Sequence, residues 1–440
     1  MPHPEKPLPL CFAPMKHSLM ARRWPVLVSL LFWLMAPTTS SFAAERILEL
    51  ADGNEISSEV YAAQGDRLLV WLPSEFGLSP RQGSTARTLN ELGIEVWIPD
   101  LHSAWFITPG RYSLNEVDPE AVQRLIEQAM QTGKQVFLLS SGRVNVLALH
   151  AVRRLQNSGA TTEQLRGLIS ISPRLFLTTP QGGEEAVFLP IVNASNLPIF
   201  VLQPQNAGGF WRIGRTIEEL EKGGAPVYLQ RLPNVGDGFN LRSEFTAEEE
   251  AATKELPRFI DTAMGMLNTH GGTPRVAAPM AGDEIKPQAP RGGELLRPYP
   301  GERQAPALEL PTLDGKQVDL KDLRGKVVLV NFWATWCPPC VEEIPSLQRL
   351  YARTRAQGLE ILAVDVGEDE ATMRAFLADK PIDFPVLMDT EGSALKRWGV
   401  HAFPTTLILD RQHRIRYAVF GAFAWDSEEV LTALKPLLKP

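Results

Sequence analysis

Two cysteines stand three residues apart in Thr-Trp-Cys-Pro-Pro-Cys, Cys337 and Cys340, and the third cysteine of the chain, Cys11, lies far ahead of them. A Cys-x-x-Cys pair can alternate between dithiol and disulfide: one thiolate attacks a disulfide sulfur and the other breaks the mixed disulfide that results. Zinc would need two more Cys or His ligands, and none clusters nearby. No metal and no cofactor are therefore expected. From the pair alone, a redox centre and an isolated disulfide both stay open. The flanks position the pair. VVLVNFWA (327–334) is a continuous apolar run, the pattern of a strand buried on both faces. After Cys340, Ile344, Leu347, Leu350 and Tyr351 fall at helical spacing. The pair thus sits at a strand-to-helix junction, where free N–H groups and the helix dipole favour a thiolate at Cys337. Cys340, one turn in, is expected to be less accessible and to act as the resolving thiol. Pro338 and Pro339 remove backbone donors and stiffen the turn.

LEILAVDV (359–366) reads as the next parallel strand and FPVLMD (384–389) as another after a short helix. GVHAFPTTLILD follows, and its Phe403–Pro404 step is a candidate cis peptide. With LPTLDGKQVDLKDLRGKVVLVNFWATWCPPCVEEIPSLQRL, these stretches resemble the TlpA/ResA-like thioredoxin-fold thiol–disulfide oxidoreductases. The resemblance spans residues 307–440. It implies an active site of Cys337, Cys340, Trp336 and cis-Pro404. It further implies that Glu343 is the buried acid that tunes the cysteines, that Pro345 kinks the helix, and that Asn331 replaces the buried Asp of thioredoxin. Phe403 is bulkier than the usual residue before the cis-proline, at a position that touches substrate. Residues 365–389 match the helix-containing insertion of the family. Trp333 reads as core and Trp336 as exposed beside the site, while a solvated helix position is the plain alternative for Glu343. His401 reads as incidental. Peroxidase chemistry is disfavoured, because Thr335 stands two residues before Cys337 and the Pro-x3-Thr-x2-Cys spacing is missing.

The rest of the chain divides around this region. Lys16, Arg22 and Arg23 precede WPVLVSLLFWLMA (24–36) and then small residues, the order of a secretory signal peptide. Residues 1–43 are expected to be removed after Ala43; an uncleaved anchor is the alternative. They hold four basic residues and one acidic, so their loss takes the net charge from −7 to −10. Scattered Pro and Gly over 271–306 read as a solvated linker. This gives an N-terminal domain over 45–270 and a C-terminal one over 307–440, each expected to fold by itself.

The N-terminal region alternates strand-like runs, such as DRLLVWLP, IEVWIPD, QVFLLSS, RGLISIS and PIFVLQP, with helical patterns, so its fold class is α/β with a mostly parallel sheet. Order and spacing resemble an α/β-hydrolase, but the triad does not survive. A nucleophile elbow needs G-x-S-x-G; LLSSGRVNVLAL puts Gly142 at the nucleophile, or Ser141 with Leu139 and Arg143 at the small sites. The expected His falls on Asp237, and the loop after PIFVLQP offers Gln203, Gln205 and Asn206 without a carboxylate. Without a histidine, Ser has no base.

Forty-four percent hydrophobic residues and 22% charged ones describe an ordinary globular chain. With 44 Lys and Arg against 51 Asp and Glu, a nucleic-acid partner is not expected. The resemblance implies an exported, periplasm-facing reductase acting on protein disulfides and dithiols, cytochrome c apoprotein thiols among them. A membrane thiol–disulfide transporter would supply its electrons. The N-terminal domain would be a binding module of unassigned ligand. A disulfide-forming oxidant, a ligand-binding protein with secondary redox, and a hydrolase are the competing readings.

Overall fold

The computed structural model describes residues 44–439 apart from 52, 181–182, 272 and 289–295, so the expected leader lies outside the described residues. Among the described residues no helix is long and apolar enough to cross a membrane.

Eight strands build the first sheet: β1 (Ala44–Glu49), β2 (Glu55–Tyr61), β3 (Arg67–Trp71), β4 (Ile94–Pro99), β5 (Gln135–Ser141), β6 (Leu165–Ile171), β7 (Ile199–Asn206) and β8 (Val227–Gly236). Their spatial order is β1-β2-β4-β3-β5-β6-β7-β8. The β1–β2 and β2–β4 pairs are antiparallel and every later pair is parallel. The central strands are apolar runs because both faces are covered. Alternate residues leave by opposite faces: Leu68, Val70, Val136 and Leu138 meet helices Pro119–Met130 and Val144–Asn157. Leu69, Trp71, Phe137 and Leu139 meet helices Pro80–Glu91 and Ala247–Asn268. Both of those helices open with a capping box, Ser79 with Gln82 and Thr246 with Glu249.

A second sheet follows. Its strands are β9 (Arg297–Gln304), β12 (Val327–Trp333), β13 (Leu359–Val366), β14 (Val386–Asp389), β15 (Thr405–Leu409) and β16 (Arg414–Phe420). The short pair β10 (Glu309–Pro311) and β11 (Gln317–Asp319) stands apart. The order is β14-β13-β12-β15-β16-β9, with β12 parallel to β13 and antiparallel to β15. Val327 and Leu329 pack with Leu347, Leu350 and Leu434 on one face; Val328, Val330 and Phe332 pack with Leu395 and Trp398 on the other. This is a thioredoxin-like arrangement, and the molecule as a whole is mixed α/β.

The stretch expected to be a solvated linker over 271–306 differs from that expectation in two ways. Its last part forms β9, the edge of the second sheet, and Leu296 is buried in that domain's core. Pro298 and Pro300 hid the strand from its composition, and an edge is where prolines are tolerated. Its first part lies along the first domain. Arg153 Nη1 donates to the Ala278 carbonyl at 2.5 Å, Asn196 Nδ2 to Val276 at 2.7 Å and Asn115 Nδ2 to Pro287 at 2.6 Å. Chain without an apolar period can still be fixed when neighbouring side chains satisfy its carbonyls.

Candidate active site

Cys337 is the N-cap residue of helix Pro338–Thr354, with Pro338 and Pro339 as its first residues. It is joined to Cys340 by a disulfide. Both residues are buried: Cys337 is 5% exposed and Cys340 1%. Trp336 is half-buried, edge-on to Phe403 with ring centroids 5.4 Å apart. The Phe403–Pro404 peptide is cis. Trp333 is fully buried in the core.

Glu343 lies one turn beyond Cys340 on the same helical face. It is 3% exposed, so the solvated alternative fails. Its Oε1 accepts from Asn331 Nδ2 at 2.8 Å, and its Oε2 from Trp425 Nε1 at 2.9 Å and the Phe423 amide at 3.3 Å. Asn331 also donates to Thr406 Oγ1 at 2.9 Å, across the β12–β15 pair. Burial pushes the Glu343 carboxyl up to about 7, against the pull of those three donors. Ahead of the cysteines, the Thr335 amide and hydroxyl both donate to Glu368, at 2.6 and 2.5 Å. Asp365 behind them is fully buried, and burial with the Glu368 and Asp389 carboxylates keeps its proton on well above the usual range.

The first domain closes over this face. His401 Nε2 lies 3.1 Å from the Glu184 carbonyl oxygen, and its ring meets Phe176 edge-on. Burial, with Arg212 nearby, lowers the His401 imidazole to about 4. A residue read as incidental in the sequence is thus part of the contact between domains. Trp211 lies against Gly367 and Gly392, where a Cβ would collide with its ring. Arg212 Nη2 donates to the Lys396 carbonyl at 3.1 Å. Between the domains remains a cleft of about 280 Å³ lined by Trp336, Cys337, Pro338 and Phe403 on one side and by Arg143, Arg174 and Asp237 on the other.

At the turn after β5, Gly142 has φ +57°, and a Cβ there would stand 2.7 Å from Glu75 Oε2. The space beside Gly142 is filled by a carboxylate. Glu75 is buried, which raises its carboxyl, while Arg174 and Arg143 oppose the shift. Asp237 pairs with Arg174. His102 is bonded to Ser113 Oγ at 2.9 Å, and His150 lies buried on the helix after the turn. Among the described residues no histidine is hydrogen-bonded to Ser141.

Residues 302–418 match the AhpC/TSA family. The thiol-disulfide oxidoreductase ResA of Bacillus thuringiensis subsp. konkukian is 34% identical over 135 residues, 30% of this chain and 78% of the relative. ResA of Geobacillus thermodenitrificans is 37% identical over 133 residues, 30% of this chain and 76% of the relative. The chain belongs to the ResA-like thiol-disulfide oxidoreductases. Among solved structures, a secreted thiol-disulfide isomerase from Corynebacterium glutamicum is 27% identical, covering 34% of this chain and 95% of its own, with a TM-score of 0.31. As a ResA-like protein the chain is an enzyme of thioredoxin-like type, and the matched family segment is its C-terminal domain.

Sequence reasoning reached the two cysteines and their helix, but missed what faces them. The arginines of the cleft come from separate loops of the first domain. Each follows the C-terminal end of a strand, a position where open α/β sheets bind ligands, and that was the available signal.

Proposed function

We propose that the protein is an exported reductase of disulfides in which Cys337 attacks and Cys340 resolves. The observation that carries this is the placement of Cys337 at the N-cap of a 17-residue helix, bonded to Cys340 and beside the Phe403–Pro404 loop. In the reduced enzyme the Cys337 thiolate attacks one sulfur of the substrate disulfide and the other leaves as a thiolate. Cys340 then attacks Cys337, the internal disulfide closes, and the second substrate thiol departs. Trp336, Pro338, Pro339 and Phe403 shape the approach, and Glu343 tunes the inner thiol from behind. Protein dithiols and disulfides, including cytochrome c apoprotein thiols, are the substrate class. A membrane thiol–disulfide transporter returns the electrons in the periplasm.

The first domain is read as an α/β-hydrolase-like fold without a triad, serving as a binding module. Its strand order and single antiparallel end support the fold; Gly142, Glu75 and Asp237 at the catalytic positions support the loss of hydrolysis. Cys340→Ala tests the redox assignment: exposed to substrate disulfides, it accumulates a mixed disulfide on Cys337, identified by mass spectrometry. Absence of any adduct on Cys337 contradicts the reading.

A further inference from the structure

The chain is acidic overall, with a net charge of −7, yet the cleft that Cys337 lines is not. Arg111, Arg143, Arg174 and Arg242 line it, against one carboxylate, Asp237. Two of these guanidiniums are neutralised: Arg174 pairs with Asp237 and Arg242 with Glu249. Among the described residues Arg111 and Arg143 form no ion pair; the carboxyl nearest Arg143 is the buried Glu75, whose burial favours its neutral form. Arg143 is the telling one. It is only 9% exposed, and its Nη1 is buried without a hydrogen-bond partner. Its Nη2 is held by neutral groups, Thr179 Oγ1 at 2.9 Å and Tyr112 Oη at 3.4 Å, with the guanidinium 4.7 Å over the Tyr112 ring. A sheltered guanidinium fixed by neutral partners, with a donor left over, is built to receive an anion. Arg143 also precedes helix Val144–Asn157, whose N-terminal end adds positive potential.

Access narrows the ligand further. Cys337 is 5% exposed and lines a cleft shared with the first domain, an approach narrower than an open surface. An extended segment or a small peptide suits such an approach.

We propose that this cleft binds an extended peptide disulfide carrying carboxylates beside its cysteine, and holds it for attack by Cys337. The inference rests on the redox reading above and names its substrate class. The dithiol enzyme supplies two electrons and two protons. The Cys337 thiolate bonds to the peptide cysteine sulfur and the other half leaves as a thiolate that takes up a proton. Cys340 then displaces the bound peptide as a second thiol, leaving the Cys337–Cys340 disulfide. A dithiol reductant restores the enzyme.

The test uses the full-length protein, reduced with dithiothreitol and desalted. It is mixed with symmetric disulfides of short cysteine peptides flanked by aspartate, serine or lysine, and with glutathione disulfide. Oxidation is followed by tryptophan fluorescence. At low salt the aspartate peptide is expected to react about tenfold faster than the serine peptide, the lysine peptide slower still, and salt is expected to shrink the spread. Arg143→Gln and the exposed Arg111→Gln should each reduce the aspartate-to-serine rate ratio severalfold. If Arg143→Gln does not fold, judged by circular dichroism, Arg111→Gln carries the comparison. An advantage shared by glutathione disulfide marks a soluble thiol as the source, and one confined to the longer peptide marks a protein segment; both support the proposal. Equal rates for the three peptides, or arginine variants that leave the ratio untouched, overturn it. If no disulfide oxidises the protein at all, the redox reading itself fails.

Discussion

In the proposed exchange, Cys337 at its helix N-cap and the buried Glu343 divide the work of setting thiol reactivity. The N-cap position stabilises a thiolate at Cys337, so its pKa is expected below the free value of about 8.5. Iodoacetamide rates against pH on Cys340→Ala check this; a midpoint at or above the free value contradicts it. Glu343 acts through burial. An acid raised from 4.5 to about 7 on folding keeps its proton in the native state while the unfolded chain has lost it. Stability should therefore fall as pH rises from about 4.5 to about 7, by up to ~1.4 kcal/mol per pH unit where the slope is steepest. Urea midpoints across that range should fall more steeply in the parent than in Glu343→Gln, where the buried Asp365 still contributes a fall of the same sign; parallel curves would contradict the buried acid. Cys337 was legible from a Cys-x-x-Cys pair at a strand-to-helix junction, while Glu343 was reached only through the resemblance to the TlpA/ResA-like family, since spacing alone left a solvated position open. Arg143 and Glu75 were not legible, because tertiary packing alone brings them together and no local period records it.

At the scale of elements, the loop after β7 and the loops after β13 and β14 make the joint. Trp211 presses on Gly367 and Gly392, both at positive φ, and a side chain at either glycine would push the ring away. Trp211→Ala is expected to loosen the joint and raise the rate at which a bulky maleimide labels reduced Cys337 severalfold, with iodoacetamide changing less. Equal changes for the two reagents would mean that the joint does not limit access. Apolar runs announced the buried strands β3 to β7 and β12 to β15. The edge strands were quieter: β9 carries two prolines and β1 has no residue fully buried, so neither shows the period on which such a reading depends.

For the whole molecule, the C-terminal strand ends of two sheets face each other across one cleft, one bearing the Cys337–Cys340 pair and the other a charged turn. Each domain has its own core, and the first covers the redox face of the second. A shortened chain of residues 296–440 should reduce insulin disulfides with dithiothreitol faster than the full protein, since the cover is gone; a slower rate would mean that the first domain assists even large substrates. Disulfide exchange through Cys337 is the step on which the proposed function depends. It is tested most directly by dithiothreitol-driven reduction of a small disulfide by the full-length parent, Cys337→Ser and Cys340→Ala, with mass spectrometry of each. Turnover is expected in the parent, none in Cys337→Ser, and a substrate adduct on Cys337 in Cys340→Ala. Turnover that survives Cys337→Ser would contradict exchange through Cys337.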